Sequence, residues 1–183
     1  MIRTTFAAAT LALSTIATGA MADNPMVGGA EMLESKNIVE NAVNSPIHTT
    51  LVAAVKQAGL VETLMGPGPF TVFAPTDDAF GMIKKDSLDA LMMDENKAQL
   101  ATILTCHVVA ADAMSDAIGQ MIADDNGTHP VPTVGGCTLQ AKMDGDKITL
   151  TDENGRVATV TTADVKQSNG VIHVIDRVLL PKQ

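Results

Sequence analysis

The stretch PFTVFAPTDDAF, residues 69–80, carries an apolar strand into a proline and then sets two adjacent carboxylates, Asp77 and Asp78, where a helix should begin. Phe70, Val72 and Ala74 project to one side of such a strand and Thr71 and Phe73 to the other, which predicts a strand buried on both faces. Pro75 ends it, Thr76 is a good N-cap, and acids in the first turn are favoured by the helix dipole by about 0.3–1 kcal/mol each. A catalytic dyad needs one carboxyl buried enough to keep its proton at neutral pH, and adjacent first-turn positions point in different directions around the axis. Asp77 and Asp78 therefore read as first-turn acids without a chemical role. Replacing Asp77 with Asn is expected to cost less stability than replacing Thr76 with Ala. Phe80 is expected to anchor the helix start against the core.

Upstream, HTTLVAAVKQAGLVETL repeats Leu51, Val52, Val55 and Ala58 at helical spacing and ends on Gly59, a core-facing helix with its stop. Before it, KNIVENAV places Ile38, Val39, Ala42 and Val43 on one face, and residues 23–35, with Gly28-Gly29, read as a mobile leader. Downstream, ENKAQLATIL is a further helical pattern. After Ile122 the texture changes to strands, TLQAKM, KITLTD, RVATVTTADV and VIHVIDRVLL, punctuated by the turns DGD, ENG and SNG. Helices dominate the first half and strands the second, which predicts an α+β class.

The chain opens with Arg3, an apolar run and the small-residue pattern Ala20-Met21-Ala22, the form of a secretory signal peptide over residues 1–22. No apolar run reaches the roughly 20 residues of a membrane span. An exported product of one domain, residues 36–181, is expected, in the periplasm or secreted to the cell surface. The 12 Lys and Arg stand against 21 Asp and Glu, a formal charge of −9, and loss of Arg3 with the signal takes it to −10. With no basic block, nucleic acid is not an expected partner. Beyond the signal the only aromatics are Phe70, Phe73 and Phe80, too few and too clustered for a stacking platform. The scattered Met residues show no repeated spacing and read as packing.

Other constellations do not complete a site. GPGPF precedes its strand and no Lys-Ser/Thr pair follows, so it is no phosphate loop. DGDKITLTDENG starts like a calcium loop, but Ile148, Thr149 and Gly155 occupy positions that need an oxygen ligand, Gly and Glu, so a hairpin is expected. His173 and Asp176 are three apart on one strand and face opposite ways, which breaks a triad with Ser168. The His residues at 48, 107, 129 and 173 lack metal-ligand spacing. No enzyme activity, metal or cofactor is expected. Cys106 and Cys137 are the two cysteines, and in an oxidising compartment their pairing is the default.

GPFTVFAPTDDAF resembles the first signature block of the fasciclin-type (FAS1) domain family, and NGVIHVIDRVLLP, residues 169–181, resembles the second. Between them NKAQLATILTCHVV is similar to the family stretch that ends in Tyr-His. The resemblance covers residues 36–181 and is strongest to small single-domain exported bacterial members, secreted mycobacterial antigens of this fold among them. It implies a wedge-like β-sandwich with helices packed along it. It also implies a non-catalytic module for cell adhesion or for binding a protein or polysaccharide of the cell surface or envelope, expected as a monomer. The alternative is a periplasmic carrier of a small apolar or metal-containing ligand. Signature positions are Phe73, Pro75, Thr76, Asp78, Phe80, Asn169, Gly170, His173 and Asp176. The segments through which some animal relatives engage integrins correspond here to Cys106-His107 and Asp164-Val165. His107, Asp164 and Val165 are thus candidate partner contacts, against a structural reading in which His107 is a hydrogen-bonded core residue and Asp164 a cap placed just before the last strand.

Overall fold

The computed structural model describes residues 24–182. The signal peptide read over residues 1–22 lies outside them. In chain order the elements are β1 (Met26–Val27), β2 (Ala30–Glu31), α1 (Ile38–Asn44), α2 (Thr49–Ala58), α3 (Val61–Met65), β3 (Phe70–Pro75), α4 (Asp77–Gly81) and α5 (Lys85–Leu91). After a 3-10 turn at Asp94–Asn96 come α6 (Lys97–Thr105), β4 (Val108–Val109), α7 (Ser115–Asp124), β5 (His129–Pro132), β6 (Thr138–Asp144), β7 (Lys147–Thr151), β8 (Val157–Gln167) and β9 (Gly170–Ile175).

Seven strands form one sheet in the order β4-β3-β9-β8-β7-β6-β5. The two signature blocks supply its second and third strands, β3 and β9. β3 and β9 run parallel, paired from Phe70 with Gly170 to Pro75 with Ile175, and the other pairings in this sheet are antiparallel. Covered on both faces, these strands are apolar on both, with Thr71 and His173 as the polar exceptions, which is why neither alternates. Val72, Ala74, Ile172 and Val174 pack into one core with Leu51, Val55, Ile103 and Leu104 of α2 and α6. Phe73 and Ile175 face a second core with Ile118 and Ile122 of α7 and Leu139, Leu150 and Val160 of the outer strands. The expected α+β class with helices along a sheet is the class observed.

The two ends of the sheet are brought together. Val134, just past β5, donates its amide to the Val108 carbonyl of β4 at 2.8 Å, and Gly135 donates to Thr105 at 3.0 Å. Cys106 and Cys137 are disulfide-bonded beside these contacts, with Cα atoms 5.4 Å apart. A Cβ on Gly135 would meet the Cys106 nitrogen at 2.7 Å, so only glycine permits this approach. The remaining edge at β5 carries Pro130 and Pro132, which have no N–H to template a further strand.

Two expectations about the N-terminal part are corrected. Residues 24–35 are not a mobile leader: β1 and β2 form a short hairpin, and Val27 and Met32 are buried in the main core. Two isolated apolar residues leave no periodicity to read. In α1, Val43 is 54 % exposed while Asn41 is fully buried. The Asn41 side chain accepts from the Leu33 amide at 3.1 Å, donates to the Leu33 carbonyl at 2.8 Å and bonds Gln167, fastening this segment to the end of β8.

Candidate functional site

The signature positions gather around the two parallel strands, and their side chains are engaged with the fold. Thr76 caps α4, its hydroxyl accepting from the Ala79 amide at 3.3 Å, and Phe73, Pro75 and Phe80 are buried. Asp78 is exposed in the first turn of α4. Asp77 does more than the dipole requires, which corrects the expectation for it. Its carboxylate reaches α2 and accepts from the Thr50 amide at 2.7 Å, the Thr49 hydroxyl at 2.8 Å and the Thr49 amide at 3.3 Å. α2 has no cap of its own from His48. Asp77 therefore supplies the missing acceptor for the first turn of another helix. Partial burial opposes its ionisation, but the hydrogen bonds from Thr50 and Thr49 outweigh that and hold its pKa below the ordinary value.

Three histidines are buried. His107 Nδ1 donates to the Ile103 carbonyl at 2.8 Å while Nε2 accepts from the Leu179 amide at 2.9 Å, a pattern that only the neutral Nδ1–H tautomer satisfies. Burial pushes its pKa down to about 4, against opposing contributions from the Ile103 carbonyl and the Asp152 charge. His173 is held likewise: Nε2 donates to the Ala113 carbonyl at 2.8 Å, Nδ1 accepts from the Asp164 amide at 3.3 Å, and the ring stacks on Phe73. His48 pairs through Nδ1 with the Ser45 hydroxyl at 2.7 Å, and its buried Nε2 makes no hydrogen bond of acceptable geometry. Burial lowers the pKa of His48 and His173 as well.

Asp164 lies within β8, not before the last strand. Between the pairs Thr162–Val174 and Val165–Ile172 the ladder carries an extra residue on β8, and Asp164 sits in that bulge at φ +59°. The bulge turns its carboxylate onto α7, where it accepts from the Ser115 amide at 2.7 Å and also bonds the Ser115 hydroxyl. Val165 is fully buried against Val72 and Ile172, so it cannot meet a partner. Asp176 accepts from the Thr159 amide at 2.7 Å and does not meet His173.

Asn169 is a junction. Its Oδ1 accepts from the Ile38 amide at 3.0 Å, and its Nδ2 donates to the Leu64 and Gly66 carbonyls at 2.8 and 3.0 Å. It thereby joins the start of α1 and the end of α3 to the turn before β9, where Gly170 opens the strand. Sequence reasoning missed Asp152. This buried carboxylate accepts from the amides of Asn154 and Arg156 at 2.9 Å and Leu180 at 3.0 Å, clamping the tail to the β7–β8 turn. The Asp-x-Asn-Gly turn pattern was the available signal for the first of these bonds.

Among the described residues no three His, Cys, Asp or Glu side chains gather closely enough to hold a metal ion, and no helix is long and apolar enough to cross a membrane. A narrow apolar cleft of about 40 Å³ lies between α1, α2 and the β3–β4 region, lined by Ile38, Val52, Leu64 and Val108. It is far smaller than the ~300–1,000 Å³ of ordinary small-molecule sites.

A mixed sheet whose one parallel pair, β3 and β9, is supplied by the two signature blocks defines a class, and the comparison with known families agrees. The chain belongs to the fasciclin domain family, whose profile matches residues 46–181. It is 42 % identical over 156 residues to protein sll1483 of Synechocystis, covering 85 % of this chain and 79 % of that one. To the immunogenic protein MPB70 of Mycobacterium bovis it is 34 % identical over 149 residues, 76 % of this chain and 66 % of the relative. Among solved structures it is similar to a FAS1 domain pair from the insect cell adhesion molecule fasciclin I. There the TM-score is 0.70 at 20 % identity, covering 79 % of this chain and 51 % of the other.

Proposed function

We propose that the chain is a non-catalytic binding module, exported through residues 1–22, that mediates cell adhesion by engaging a protein or polysaccharide of the cell surface or envelope. Membership of the fasciclin domain family carries this reading, and the cell adhesion molecule among the structural neighbours supports it. The chemistry of the buried histidines is in keeping with it. His107 and His173 commit both ring nitrogens to backbone groups, and burial lowers the pKa of each, so neither is poised as a base. The proline-blunted edge of β5 favours a monomer that does not add strands to its neighbours.

With Val165 buried and Asp164 capping α7, adhesion is assigned to surface outside the Cys106-His107 and Asp164-Val165 segments. An acidic chain is repelled by anionic lipid and lipopolysaccharide, so attachment rests on local contacts or bridging cations. The test is a deletion strain scored for attachment, with and without divalent cations, beside surfaces coated with the purified protein. Reduced attachment restored by the purified protein is expected. A strain that adheres like its parent in both media overturns the proposal.

A further inference from the structure

A groove of about 480 Å³ runs between α5 and α6, floored by Ile83, Leu91, Ile103 and Leu180 and bordered by Lys84 and Arg156. Its lining includes no carboxylate, in a chain whose formal charge is −9. The volume falls in the ~300–1,000 Å³ range of small-molecule sites, and apolar lining that a ligand removes from water contributes roughly 25 cal/mol per Å².

The cationic border is built rather than incidental. Arg156 Nε lies 3.1 Å from Asp152 Oδ2, off-line for a hydrogen bond, and the Asp152 side chain is fully buried. The same carboxylate holds the Leu180 amide at 3.0 Å, so one buried group fixes both a charged and an apolar part of the groove. Asp152 shares the guanidinium charge through this ion pair, while the terminal guanidinium nitrogens make no hydrogen bond among the described residues and the Lys84 ammonium makes neither a hydrogen bond nor an ion pair there. A planar guanidinium with free outer donors is matched to a carboxylate. On the other wall α5 has no buried residue, and Leu88 and Leu91 rest only partly buried on the main core.

We infer that this groove binds a long-chain carboxylate, its head group held by Lys84 and Arg156 and its acyl chain laid along Ile83, Leu91, Ile103 and Leu180. This stands apart from the adhesion reading and is unaffected by its failure. The test titrates dodecanoate, below its micellar range, into the chain lacking residues 1–22, followed by calorimetry and by amide NMR shifts. Saturable binding is expected, with shifts centred on Leu91, Ile103 and Leu180. Lys84→Glu, which reverses the exposed charge, and Ser87→Trp, which fills the groove from its exposed wall, are each expected to weaken binding at least about tenfold with unchanged melts. The neutral amphiphile dodecyl maltoside is expected to bind at least about tenfold more weakly than dodecanoate. Absence of saturation, shifts centred on the cleft beside α1, equal binding by both variants, or equal binding of the neutral amphiphile overturns the inference. Association with phosphatidylglycerol vesicles but not with dispersed dodecanoate also overturns it, in favour of membrane docking.

Discussion

The His107 imidazole accepts a hydrogen bond from the Leu179 amide, 72 positions away, while its other nitrogen holds the carbonyl of Ile103 in its own helix. Protonation at Nε2 would turn that acceptor into a second donor facing an N–H. The folded pKa is lowered to about 4 from 6.5, so the unfolded chain takes up the proton first. His107 stabilisation is thus complete above about pH 6.5 and is lost progressively as pH falls toward 4, on the order of 3 kcal/mol in all. His48 and His173, lowered in the same direction, add to the slope. Urea melts from pH 7.5 to 4 should show this loss, and a His107→Gln protein should show a shallower dependence. Equal slopes in the two proteins would refute the assignment.

Asp77→Ala removes three acceptor contacts to the start of α2, whereas Thr76→Ala removes one at the start of α4. The Thr76 change is expected to cost about 0.5–2 kcal/mol and the Asp77 change at least as much. Denaturant midpoints at neutral pH decide the order. A smaller loss at Asp77 would return it to a mere dipole partner.

Reduction of the Cys106–Cys137 bond, at a sequence separation of 31, is expected to lower stability by roughly 3–4 kcal/mol in the chain-entropy account. Thiol titration of the denatured, unreduced exported protein should find no free thiol. Melts with and without reductant then measure the effect. Two free thiols, or unchanged melts, would contradict it.

Asp164→Ala should destabilise the protein by about 0.5–2 kcal/mol through loss of the α7 cap, with exchange of the Ser115 amide accelerated. Attachment should fall only in proportion to the folded fraction. A fully stable variant that no longer attaches would restore Asp164 as a partner contact.

The two parallel strands were legible because burial on both faces leaves a nearly continuous apolar run, interrupted only by Thr71 in FTVFA and His173 in VIHVI. The hairpin turn after Asp144 and the stop at Gly59 were legible from local backbone chemistry. What stayed hidden was the set of side chains that satisfy distant backbone groups. Asp77 serves α2, Asp164 serves Ser115, Asn169 serves Ile38 and Leu64, and Asp152 serves Leu180. Periodicity reports which face is covered, not which unpaired amide lies across the fold. The bulge that redirects Asp164 has no signature in a two-residue period, and the β1–β2 hairpin is too short to show one.

The parallel alignment of β9 with β3 also has a mechanical consequence. Tension applied to the chain beyond Leu180 must first pull out a tail held by Asp152, His107, Asn154 and Glu153. It then drags β9 lengthwise between β3 and β8, so that the rungs on both sides carry the load together instead of opening one at a time. Forced unfolding is governed by the barrier to this sliding rather than by equilibrium stability. A tether anchored at that end would hold under shear where a peeled hairpin such as β6–β7 would give way.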